Sequence, residues 1–166
     1  MVSPGEPLHD IEIRKMVMED VSAVTAIDFA EDKDPWTENL FRQELQIPIS
    51  HTLVASSKSD RGSQIAGFIT FWMVADEVQL HKISVSRQVQ RQGIGRRLFQ
   101  AMTEQAVVRG LSMATLEVRS TNQAAIKLYE AFGFQVTAVR KGYYGGTGED
   151  ALMMSAELRL ANFLTP

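Results

Sequence analysis

Ile11, Ile13 and Val17 share one phase of a two-residue alternation, which predicts a first strand over residues 11–18, and Asp20 stands where a helix N-cap would, ahead of a helical pattern reaching about Phe29. Asp32–Pro35 breaks that pattern. Trp36 and Thr37 open a second predicted helix to about Gln46, with Thr37 as cap and Leu40, Phe41 and Leu45 on one face. Two strands follow, Thr52–Ser57 and Gln64–Met73, divided by the turn-forming run Ser59-Asp60-Arg61-Gly62-Ser63, and a third, Val78–Val85, completes an antiparallel meander. From Leu98 the period lengthens, with Met102, Ala106 and Val107 on a helix capped by Gly110. Met113–Arg119 is the next strand, Gln123–Ala131 a short helix between Asn122 and Gly133, and Phe134–Arg140 and Asp150–Leu158 the last strands, parted by a flexible glycine-rich loop at 142–148. The order β-α-α-β-β-β-α-β-α-β-β predicts a mixed α/β sandwich, with a parallel pair where two strands flank the Gly110 helix.

The sharpest local signal lies where Val78–Val85 hands over to that helix. Gln90-Arg91-Gln92-Gly93-Ile94-Gly95-Arg96-Arg97-Leu98 is a glycine-bearing, cationic strand-to-helix turn. Backbone N–H groups at such a turn converge on an anion at the positive end of the helix dipole, and Arg91, Arg96 and Arg97 add charge. A dinucleotide-binding turn would need glycine or alanine in place of Leu98, and a P-loop would need Gly-Lys-Ser or Gly-Lys-Thr, so neither applies. A plain surface turn remains the simpler alternative at this point.

Three further residues are open to two readings. Glu117 is an ionisable side chain between Leu116 and Val118 in an otherwise apolar strand: a reactive carboxylate, or a solvated strand end paired with Arg119 on the same face. Tyr129, near Phe132 and Phe134, is either core or catalytic. Asn122 is a helix cap or a ligand contact.

Taken together, Gln90-x-x-Gly93-x-Gly95 and Leu116-Glu117-Val118-Arg119-Ser120-x-Asn122-x-x-Ala125-x-x-Leu128-Tyr129-x-x-x-Gly133-Phe134 resemble the two signatures of the GCN5-related N-acetyltransferases. Asp34-Pro35-Trp36-Thr37 and Arg140-Lys141-Gly142-Tyr143-Tyr144 with Glu149-Asp150-Ala151 extend the resemblance over residues 11–158, towards the branch that acetylates the N-terminal alanine of small-subunit ribosomal protein eighteen. The resemblance implies one GNAT domain over residues 1–166, a mostly antiparallel sheet with a parallel pair splayed at the acetyl-CoA site, and helices on both faces. It implies acetyl-CoA as co-substrate, no metal, Glu117 as general base and Tyr129 as general acid. It also implies cofactor contacts from Ile83, Ser84, Val85, Arg91, Gln92, Gly93, Ile94, Gly95, Arg96 and Asn122. Lys82 departs from members with a small polar residue there, and Gly145–Gly148 is unusually glycine-rich; both bear on peptide selectivity.

Chemistry adds constraints of its own. The nucleophilic amine must be neutral, and an α-amine (pKa ~7.8) costs roughly 3.5 kcal/mol less to neutralise at pH 7 than a lysine (~10.4). A carboxylate of ordinary pKa, ~4.3, lies far below either amine, so burial must raise that of Glu117 or a water must relay the proton. A phenol near ~10 is a weaker acid than a thiol near ~8.5 by about 2 kcal/mol, so Tyr129 is expected to stabilise the departing sulfur by a hydrogen bond rather than surrender its proton. Backbone N–H groups around Ile83–Val85 are the expected donors to the thioester oxygen.

Composition narrows the field. The 166 residues, 45% apolar, suffice for one core, and the net charge of −3 disfavours nucleic-acid binding. The chain has no cysteine, hence no disulfide and no acyl-cysteine intermediate, and His9, His51 and His81 lack metal-ligand spacing. The longest apolar run, Ala66–Ala75, is too short to span a bilayer, and a cytoplasmic location is expected. Glu31, Asp32 and Asp34 form either an acidic entrance for a basic peptide or a solvated loop, and Tyr143 and Tyr144 either line a peptide channel or are plain hairpin aromatics. A polyamine or antibiotic acceptor, or a non-catalytic acyl-CoA-binding or ribosome-associated module, stands as the alternative function.

Overall fold

The computed structural model describes residues 10–59 and 62–159. Within these residues seven strands, β1 (Ile11–Lys15), β2 (Ser50–Ser59), β3 (Gly62–Val74), β4 (Glu77–Val85), β5 (Met113–Arg119), β6 (Gln135–Tyr144) and β7 (Glu149–Glu157), form a sheet in the order β1-β2-β3-β4-β5-β7-β6. Four helices accompany them: α1 (Val21–Glu31), α2 (Glu38–Glu44), α3 (Ile94–Val108) and α4 (Gln123–Ala131). The predicted order of elements holds throughout. The parallel pair is β4 with β5, registered from Glu77↔Met113 to Leu80↔Leu116, and β5 with β7 and β6 with β7 are antiparallel.

The chain divides into two compact units. The first comprises, among the described residues, 10–59, 62–72 and 82–102. Its core gathers Met16, Val21, Val24, Phe41, Val54 and Phe68, with Trp36 packed at 5.4 Å from Phe41 and Phe68 edge-on to Phe41 at 5.3 Å. Phe41 reaches this core because Thr37 caps α2, its hydroxyl accepting the Leu40 N–H at 3.3 Å, as the sequence predicts. Asp20 behaves otherwise. The first strand stops at Lys15, and the Asp20 carboxylate does not cap α1 but accepts two bonds from Arg14, at 2.7 and 2.9 Å, and, at 2.9 Å, the Val17 N–H that leads into the 3-10 turn Met18–Asp20. Asp20 itself has helical backbone, φ −81° and ψ −18°, so its carboxylate is turned to the preceding residues and not to the amides of α1. Asp60 and Arg61 of the predicted turn between β2 and β3 lie outside the described residues, as do His9 and the tail 160–166.

The second unit comprises, among the described residues, 73–81 and 103–159. β5 alternates so that Ala114, Leu116 and Val118 are buried and Glu117 is exposed. The glycine-rich loop is shorter than its sequence suggests: β6 runs on through Gly142 to Tyr144, and a turn of four residues, 145–148, suffices. Gly142 takes φ +59° at a register shift, and its N–H is held by Asp150 at 2.9 Å, so the glycine serves a bulge within the strand.

Candidate functional site

The glycine turn belongs to the first unit. After β4 the chain makes a 3-10 turn, Arg87–Val89, and then adopts left-handed backbone at Arg91 (φ +63°) and Gly93 (φ +77°), the handedness from which anion-holding amide nests are built. A Cβ on Gly93 would meet no protein atom within 4 Å, so the space before it is open to a ligand. The Arg97 N–H bonds the Gly93 carbonyl at 3.0 Å, and the amides of Ile94 and Gly95 therefore lie ahead of the first turn's hydrogen bonding, at the positive end of α3. Arg91, Gln92 and Arg96 are exposed around them. This donor set, amides backed by guanidinium groups, fits a pyrophosphate. Arg97 does not belong to it, because its guanidinium donates to the Ile11 carbonyl of β1 at 2.7 Å.

Just upstream, half-buried Ile83, Ser84 and Val85 are held closely from β3. Gly67 has no Cβ because one would lie 2.7 Å from the Ser84 carbonyl oxygen and 3.1 Å from the Val85 side chain, and the Ser86 N–H bonds the Ala66 carbonyl at 2.9 Å.

Beneath the same strand lies a charge cluster that sequence reading missed. Lys82, 8% exposed, donates to Asp28 at 3.0 Å, to Asp32 at 2.8 Å and to the Asp34 carbonyl at 3.0 Å, using all three ammonium protons. Asp28 is fully buried in α1 and also accepts the Trp36 N–H at 2.7 Å. Burial raises its pKa above the usual carboxylate range, against the lowering effect of the Trp36 amide and Lys82. Asp32 is thus committed to Lys82, and Glu31 accepts the Arg87 N–H at 2.9 Å, so two of the three carboxylates expected at an acidic entrance serve the protein's own structure. The signal was present in the pattern: Lys82 continues the buried phase of Val78 and Leu80, and Asp28 that of Val21 and Val24.

In the second unit, Glu117 is the first β5 residue after the register shared with β4. Its carboxylate, 31% exposed, lies 3.3 Å from Arg140. Arg119, the partner in the alternative reading of Glu117, pairs with Glu149 at 2.8 Å and stacks 3.7 Å over the Tyr144 ring, fastening the β6–β7 hairpin. Tyr129 is buried in α4, 6.2 Å from the Phe134 ring, and burial, with Tyr144 adding to it, pushes its hydroxyl well above the ordinary phenol value. Asn122 caps α4 by accepting the Ala125 N–H at 3.2 Å. Tyr143 is half-exposed, with its ring 5.2 Å from that of Tyr144 in an edge-on pair.

Residues 18–134 match the model of the Acetyltransferase (GNAT) family. The chain belongs to the GNAT family. It is an N-acetyltransferase, and GNAT acetyltransferases use acetyl-CoA. A Bacillus subtilis (strain 168) protein named as a candidate [ribosomal protein bS18]-alanine N-acetyltransferase is 34% identical over 143 residues, covering 86% of this chain and 92% of that protein. The N-alpha-acetyltransferase RimI of Mycobacterium tuberculosis (strain ATCC 25618 / H37Rv) is 36% identical over 125 residues, covering 73% and 75%. The crystal structure of the ribosomal-protein-S18-alanine N-acetyltransferase from Escherichia coli superposes with a TM-score of 0.82 at 30% identity, over 95% of this chain and 99% of that one. The GNAT match ends at Phe134, so the β6–β7 hairpin lies beyond the segment that defines the family here. Among the described residues, no group of three or more His, Asp or Glu side chains is disposed to hold a metal ion, and no helix is long and apolar enough to cross a membrane.

Proposed function

We propose that this GNAT enzyme transfers the acetyl group of acetyl-CoA to the N-terminal alanine of ribosomal protein bS18, directly and in one ternary complex. The observation that carries this reading is the partly exposed carboxylate of Glu117, set just past the parallel β4–β5 register in a chain that superposes along 95% of its length on the Escherichia coli enzyme. Acetyl-CoA supplies an activated acyl carbon on a thioester. The amides of Ile94 and Gly95, with Arg91 and Arg96, hold its pyrophosphate, the Gln92 and Gly93 backbone shapes that turn, and Asn122 contacts the cofactor while it caps α4. The N–H groups of the Ile83–Val85 segment donate to the thioester oxygen. Glu117 takes the ammonium proton of the acceptor through a water and passes it to solvent, the amine nitrogen bonds the acyl carbon, the C–S bond breaks to release CoA as the thiolate, and the second proton on the nitrogen leaves through the same water. With no cysteine in the chain, the acyl group has no thiol to rest on.

Tyr129 donates a hydrogen bond to the departing sulfur. Its raised pKa keeps it protonated at all assay pH values, so it stabilises charge without giving up the proton. Tyr129→Phe is expected to lower kcat about tenfold, uniformly between pH ~7 and ~9, a neutral hydrogen bond's worth. Steady-state kinetics at saturating substrates checks this, and an unchanged kcat removes Tyr129 from the reaction.

The acceptor is tested with paired peptides carrying the N-terminal sequence of bS18, one with a free alanine amine and one blocked there but retaining lysine, with the product located by mass spectrometry. Acetylation of the free terminus alone is expected. Labelling of neither peptide would transfer the reading to a small-amine acceptor or a binding module.

A further inference from the structure

We infer that Glu31, at the end of α1, is a positioning residue that fixes the Ile83–Val85 segment for acyl transfer. The inference rests on the function proposed above and goes beyond it, because Glu31 touches neither substrate nor any residue proposed to do so.

The segment that would present its amides to the thioester oxygen is short, and its two ends need anchors. At its entry, Lys82 is fixed by Asp28 and Asp32 of α1 and the residue just after it. Along its length, Gly67 and Ala66 of β3 hold it at close range. At its exit, the anchor is Glu31. One carboxylate oxygen accepts the Arg87 N–H at 2.9 Å, and the other receives the Gln90 side-chain amide at 3.4 Å. That same amide donates to the Val85 carbonyl at 2.9 Å, so the chain Glu31–Gln90–Val85 ties α1 to the last residue of the segment.

The side chains match this duty. Glu31 is 12% exposed, held at the protein surface, whereas the Arg87 guanidinium is 80% exposed and 3.6 Å away. The ion pair with Arg87 is therefore the weak part of the contact and the backbone N–H the specific part. Fixing the carbonyl of Val85 fixes the peptide plane that follows, and fixing the Arg87 N–H stops the 3-10 turn from rotating. Amides aimed at a developing charge act through being aimed beforehand, so a small loss of alignment costs rate and leaves binding of the rest of the cofactor alone.

The test is Glu31→Ala beside Glu31→Gln. Single-turnover acetylation of the free-alanine peptide isolates the chemical step, and calorimetry with CoA, which lacks the acetyl group, reads pyrophosphate-side binding. Glu31→Ala is expected to slow single turnover about tenfold while the Kd for CoA stays within about twofold. Glu31→Gln keeps an oxygen for the Arg87 N–H and is expected to retain at least about half the wild-type rate. A thermal melt confirms that both variants are folded. Wild-type single turnover in folded Glu31→Ala, or a rate loss matched by an equal loss of CoA affinity, overturns the inference. Wild-type enzyme that leaves the free-alanine peptide unacetylated overturns the proposed function instead, and the two failures are thereby separate.

Discussion

Glu117→Gln is expected to reduce kcat/KM for the free-alanine peptide by at least about 100-fold at pH 7, within the ~10²–10⁴ range of a lost general base. Glutamine keeps the size of the side chain and removes only its charge. Arg140, its partner at 3.3 Å, is 48% exposed and returns to solvent, so the fold survives. The pH dependence carries the diagnostic part. The base removes one proton from the ammonium form, which dominates below ~7.8, and a second as the nitrogen bonds the acyl carbon; above ~7.8 only the second is left to it. The deficit is therefore expected to be largest near pH 6.5 and to shrink towards pH 9. A pH series of kcat/KM, with CoA binding as control, decides the matter: a variant that binds CoA and keeps wild-type turnover across the series removes Glu117 from the mechanism.

How much of this was legible in the chain depends on how far apart the interacting residues are. β5 and α4 were readable because their signals are local: the strand alternates residue by residue, and Asn122 sits one residue ahead of the helix it caps. The glycine turn was readable for the same reason. Local signals mislead where a distant group competes for the same atom. Asp20 has the position of a cap, yet Arg14 claims its carboxylate, and Arg119 has the position of a partner for Glu117, yet Glu149 and Tyr144 claim its guanidinium. The glycines of 142–148 read as slack, but one of them makes a bulge fixed by Asp150, which lets β6 continue. The bond from Glu31 to the Arg87 amide spans 56 residues and that from Lys82 to Asp28 spans 54; no spacing rule connects them. What the sequence did contain was an anomaly of phase: two opposite charges, each standing where its own element turns inward.

That anomaly sets the second large effect. Lys82→Met is expected to destabilise the fold by about 3–5 kcal/mol, because it strips a fully buried carboxylate, Asp28, of its counter-charge, and removing one partner of a buried pair is far costlier than never having had the pair. For a chain of this length the melting temperature would fall by about 10 °C. Asp28 retains the Trp36 N–H, which softens the penalty without abolishing it. The sign of the pH response follows from linkage. Burial already raises the Asp28 pKa above its unfolded value, and without Lys82 the rise becomes larger, so the folded variant holds its proton more tightly than the unfolded chain. A raised folded pKa contributes stability that is present below the unfolded value, near ~3.9, and lost as the pH climbs through the folded one. The gap between wild type and variant should therefore be widest above neutrality and narrow on acidification towards pH ~5. Lys82→Met combined with Asp28→Asn supplies the complement: the carboxamide oxygen still accepts the Trp36 N–H and carries no charge to strand, so the double variant should recover about 2 kcal/mol and lose the added pH dependence. Thermal melts of the three proteins from pH 5 to 8 measure all of this. A Lys82→Met protein that melts with the wild type at pH 7.5 would show that Asp28 does not depend on Lys82 for its charge.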